Sequence, residues 1–192
     1  MTRINATGKK AQMYLAGGFM LFIVLSLFIV SHIYRNIIIV PDYMPQNIAS
    51  EFQRSLNALF IENNSIAYIN SGLDDYSLLI GNFTKSKAYG LRAYYVVVMP
   101  NVSVIFGNYF NETIANVSIS VNNETLSQSM PPRTSQVFYF NASGSDILNF
   151  TYSFFADSKT FEKNKTIQNT MFYVHWIKLT TANDVIIKEV VE

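Results

Sequence analysis

Apolar and polar positions divide this chain into three regimes. From Met13 to Ile33 it is continuously apolar apart from Gly17, Gly18, Ser26, Ser31 and His32. About 20 such residues carry a helix across the hydrocarbon core of a bilayer, so the run predicts a membrane span. Apolar character continues through Ile37–Val40, until Pro41 and Pro45 stop the helix. A cleavable secretory signal would have an apolar region of about 7–15 residues and a small-residue cleavage site, and neither fits. A core helix of a soluble protein is rarely apolar on every face for this length.

The second regime is amphipathic. In QNIASEFQRSLNALFIEN, Ile48, Phe52, Leu56, Leu59 and Phe60 recur at helical spacing, with Glu51, Arg54, Asn57 and Glu62 on the other faces. The stripe predicts a helix packed on the domain that follows. Residues 63–90 mix turn formers with short apolar pieces and read as a connection with one further short helix.

From Leu91 the period changes to two. LRAYYVVVM, NVSVIF, ANVSISV, SQVFYF, ILNFTYSFF, TMFYVHWIKLT and DVIIKEV read as about seven strands separated by Asn, Ser, Gly and Pro. Val102, Val104 and Phe106 share one face, as do Val117, Ile119 and Val121, and Leu148, Phe150, Tyr152 and Phe154. One-sided alternation suits an antiparallel sandwich with wet outer faces; strand order stays open. The expected class is α+β: a long N-terminal hydrophobic helix, a short amphipathic helix and an antiparallel β-sandwich head.

Charge sets the orientation. Arg3, Lys9 and Lys10 precede the apolar run and only Arg35 follows closely, which places the N-terminus in the cytoplasm and about 150 residues outside the cell membrane. His32, near the outer end, reads as an interfacial residue. The net charge of +1 gives no electrostatic ground for nucleic-acid binding. With no cysteine, disulfides, zinc–thiolate sites, iron–sulfur clusters and a cysteine nucleophile are excluded.

The N-x-[ST] pattern occurs at Asn63, Asn82, Asn101, Asn111, Asn116, Asn123, Asn141, Asn149 and Asn164, with one more at Asn5. All but Asn5 fall on the side assigned to the outside, so these nine are the candidate glycosylation sites. Catalytic patterns are lacking: there is no Gly-rich phosphate loop, no G-x-S-x-G, no H-E-x-x-H and no EF-hand loop. His175, in FYVHWIK, reads as a strand histidine with a satisfied hydrogen bond. The Asp74–Asp75 pair reads as a capped, solvated turn, with a cation loop as its alternative. The inventory predicts neither enzyme, metal nor cofactor.

The junction G-K-K-A-Q-M, set directly against the apolar run, resembles the class III signal peptide of archaeal type IV pilins and related surface proteins. The resemblance implies cleavage by a prepilin-type peptidase, with Lys9 and Lys10 as the basic pair, Ala11 as the last leader residue and Gln12 as the new N-terminus. It also implies filament assembly through the hydrophobic helix, with Gly17–Gly18 permitting close helix approach. Bacterial-type pilins carry a glutamate five residues into the mature chain; here that position is Ala16. The organisation expected is a cytoplasmic leader over 1–11, a transmembrane or filament-core helix over 12–40, a linker with the amphipathic helix over 41–90 and an extracellular sandwich over 91–192. Functionally this implies a glycosylated pilin-like subunit for adhesion or contact. The alternative is a non-polymerising, membrane-anchored accessory or envelope protein with the same head. A filament subunit should expose apolar contacts near Ile37–Ile48.

Overall fold

Hydrophobic periodicity places the core in two layers rather than one. The computed structural model describes residues 43–100, 102–141, 147–168, 170–182 and 184–192, all within one unit, Asp42–Glu192. Among the described residues two helices, α1 (Met44–Glu62) and α2 (Ile66–Ser86), precede nine strands. These are β1 (Gly90–Val98), β2 (Ser103–Asn108), β3 (Ile114–Val121), β4 (Glu124–Met130), β5 (Thr134–Tyr139), β6 (Ile147–Ala156), β7 (Lys159–Gln168), β8 (Phe172–Thr180) and β9 (Val185–Val191). A five-stranded sheet runs in the order β5-β2-β1-β8-β9 and a four-stranded one in the order β4-β3-β6-β7. Every pairing is antiparallel.

The expected α+β class is corrected on this point. Among the described residues no helix is long and apolar enough to cross a membrane, and the expected N-terminal span lies outside them. The amphipathic helix runs for 19 residues, the further short helix expected in the connection runs for 21, and about seven strands become nine among the described residues.

The five-stranded sheet is buried on both faces. Tyr94, Val96, Val104, Phe106, Val174 and Trp176 meet the other sheet. Tyr95, Val97, Ile105 and Tyr173 meet Phe52 and Leu56 of α1 and Ile69 and Leu73 of α2. Burial on both faces explains why YYVVVM is a continuous apolar run, whereas β3 and β6 alternate. Pro45, expected as a stop signal, starts α1, where a missing N–H costs nothing.

Both overlooked strands, β4 and β7, are the edges of the four-stranded sheet. In β7 the inward positions alternate Phe161, Lys163, Lys165 and Ile167, and the two lysines hide the period. Their stems cover the margin of the core: Lys163 Nζ donates to Glu189 Oε1 of β9 at 2.9 Å, and Lys165 Nζ stands 4.6 Å from the Phe172 ring. Inward charges on an edge also oppose pairing with a foreign strand. The β6–β7 turn is Asp157–Ser158, both at positive φ (49° and 61°), which gives the twist a two-residue hairpin needs.

Candidate functional site

Strand pairing builds a polar surface on the outer face of the four-stranded sheet. Residues opposite each other share a face. One row across the sheet is therefore Thr125, Ser120, Thr151 and Asn164, and the next is Ser127, Ser118, Ser153 and Glu162. Hydroxyls bridge the strands: Ser120 Oγ and Thr125 Oγ1 lie 2.8 Å apart, and Ser127 Oγ donates to Ser118 Oγ at 3.2 Å. Thr166 Oγ1 donates to Asn149 Oδ1 at 3.1 Å. Glu162, on the edge strand, is the one charged residue in these two rows.

This face and its margins carry much of the sequon set. Asn116 lies on β3, Asn149 on β6 and Asn164 on β7, with Asn123 in the β3–β4 turn, and all four are exposed. Asn63, between α1 and α2, is exposed and accepts a 2.9 Å bond from Ser65 N. Asn82 (on α2), Asn111 and Asn141 are exposed as well. The Asn82 sequon differs in its hydroxyl: Thr84 is buried, and its Oγ1 donates to Ile80 O at 2.9 Å and Gly81 O at 3.1 Å. Asn101 and the processing residues Lys9, Lys10, Ala11 and Gln12 lie outside the described residues.

Apolar exposure near the junction is divided. Tyr43 is exposed, Ile48 is buried, and Ile37–Asp42 lie outside the described residues. Leu78, Leu79 and Phe83, on α2, are exposed.

Polar groups buried beneath the helices differ from expectation. His175 is 4% exposed, and its Nδ1 has no hydrogen-bond partner, where a satisfied strand histidine was expected. It pairs with Tyr95 across the sheet and packs 4.1 Å, centroid to centroid, from the Phe52 ring. Burial pushes its imidazole down to about 3, so it is neutral at ordinary pH. Both His175 and Tyr95 line a cavity of about 10 Å³ beneath α2, room for one water and no substrate. The Tyr95 hydroxyl lies near Ser135 and Tyr109 without meeting either in hydrogen-bonding geometry.

Asp74 and Asp75 sit on α2 rather than in a turn. Adjacent helical side chains do not face each other, so the pair cannot close on one cation. Asp74 accepts from Tyr109 OH at 2.7 Å, and burial followed by that carboxylate raises the phenol. Among the described residues no three acids or histidines gather as a metal site.

Comparison with protein-family models, curated proteins and solved structures finds no match to this chain.

Proposed function

We propose that this chain is a structural cell-surface protein of pilin-like type. Its apolar segment at 13–33 seats it in the membrane and joins it to further copies, and residues 43–192 form a glycosylated head outside the cell. A prepilin-type peptidase releases Met1–Ala11 and leaves Gln12 as the N-terminus. The head serves adhesion or contact rather than catalysis.

The observation that carries the reading is the outer face of the four-stranded sheet. Apart from Glu162 on the edge strand, its two central rows are hydroxyls and one amide, and exposed sequon asparagines stand on three of its strands and in one turn. Such a face suits attached sugars and stays soluble without a dense charge pattern. Exposed Leu79 and Phe83 give the head an apolar strip for contact between subunits.

The test is protease treatment of intact native cells, followed by peptide mass mapping. Digestion of 43–192, with sugar additions on Asn116, Asn123, Asn149 or Asn164, is the expected result. Full protection of the head would overturn the topology. A second reading is an anchored envelope protein that does not polymerise; Pro41, directly behind the apolar segment, is the sequence feature that favours it.

A further inference from the structure

A cleft of about 190 Å³ lies between the C-terminal half of α2 and the adjoining end of the sandwich. Its lining includes Leu78, Asn82, Lys85, Tyr89, Asn111 and Arg133, and contains no acidic side chain. Lys85 and Arg133 are exposed, and neither enters an ion pair among the described residues. Two cations in a lining without acidic side chains favour an anionic group.

The cleft is organised from beneath. Asn108 is fully buried, and its Nδ2 donates to Glu112 O at 3.1 Å, Met130 O at 3.0 Å and Pro131 O at 2.9 Å. Its Oδ1 accepts from Phe110 N at 3.0 Å. One side chain thus pins both the segment bearing Asn111 and the loop Pro131–Pro132–Arg133. Thr134 Oγ1 also donates to Pro131 O at 2.8 Å, and the prolines stiffen the loop further. Arg133 is held at φ 58°, a conformation glycine adopts freely and other residues avoid. Arg133 thus stands on a braced loop that lines the cleft.

We propose that this cleft binds an acidic carbohydrate, through one uronate-type ring. Lys85 and Arg133 take the carboxylate, the amide of Asn82, whose sequon threonine is buried, matches a neighbouring ring hydroxyl, and Leu78 and Tyr89 meet the apolar face of the sugar. The volume suits one ring rather than a larger ligand, and a polymer would continue out of the open side. A bare inorganic anion would use the cations and leave the amide and apolar walls idle. The proposal rests on the reading of an external head, where such polymers are met. Its test needs no assumption about topology, so the two fail separately.

The experiment is calorimetric titration of the full-length chain, made in a host without N-glycosylation so that Asn82 and Asn111 are bare. The probes are trigalacturonate, its full methyl ester and inorganic phosphate. Trigalacturonate should bind, the ester and phosphate about tenfold or more weaker. Lys85→Gln and Arg133→Gln should each lose about tenfold of the trigalacturonate affinity. Arg133→Gly should lose as much while melting at the same or a higher temperature, which separates ligand loss from misfolding. No binding of trigalacturonate, equal binding of the ester, equal binding of phosphate, or unchanged affinity in both glutamine variants would each overturn it.

Discussion

Lowering the pH should destabilise this head through His175. The folded imidazole sits at about 3 because burial disfavours its charge, while an unfolded histidine titrates near 6.5. A histidine depressed on folding binds its proton more readily in the unfolded chain. Stability is therefore full above about pH 6.5 and falls as pH drops from 6.5 towards 3. Each pH unit below 6.5 removes about 1.4 kcal/mol, so pH 5 costs about 2 kcal/mol relative to pH 7. In a domain of this size that is about 4–8 °C of Tm. The register partners Tyr95 and Val190 and the Phe52 ring from α1 supply no counter-charge. The assay is thermal melting of the full-length chain between pH 7.5 and 4.5, beside His175→Phe. The variant keeps an aromatic ring against Phe52 and removes the titration, and carboxylates common to both cancel in the difference. Wild type should lose stability relative to the variant as the pH falls. A difference that stays constant across the range would refute the buried, neutral imidazole.

Three further outcomes follow from packing and charge. Asp157, 11% exposed at its side chain, accepts from both Arg92 and Lys178, which stand opposite each other on β1 and β8. Asp157→Asn keeps a residue that tolerates the turn's positive φ but strands two like charges, and should cost about 2 kcal/mol in urea denaturation, allowing for the partial exposure of Arg92. Gly107→Ala places a Cβ inside contact with the Tyr95 ring, its cross-strand partner, and should cost about 1–3 kcal/mol in the same assay. Phe52→Ala removes the fully buried ring that joins α1 to Tyr95, Tyr173 and His175, and should cost about 3–5 kcal/mol by thermal melting.

The parts of the fold visible in the sequence are those where one side of an element decides its residues. Val117, Ile119 and Val121, like Leu148, Phe150, Tyr152 and Phe154, alternate because one face of their sheet is buried and the other wet, and all lie between the sheets. The Ile48–Phe52–Leu56 stripe faces the head for the same reason. β7 escaped because Lys163 and Lys165 occupy inward positions at the edge, and β4 because only Met130 of its seven residues is buried. The full length of α2 is hidden because Gly72, Asn70, Ser71 and Asp74–Asp75 look like turn residues, so residues 63–90 read as a connection with one short helix. Gly72 instead gives Leu59 of α1 a close approach. The sequons were legible as motifs. The meeting of Asn116, Asn149 and Asn164 on one sheet, and the cleft lined by Lys85 and Arg133, depend on partners distant in sequence, which no local pattern encodes.

The central claim turns on the junction before the apolar segment. The deciding measurement is the N-terminal residue and intact mass of the chain recovered from native membranes or surface filaments. A filament-class subunit should begin at Gln12. A chain that still begins at Met1 or Thr2 would contradict prepilin-type processing and leave an uncut anchored surface protein in its place.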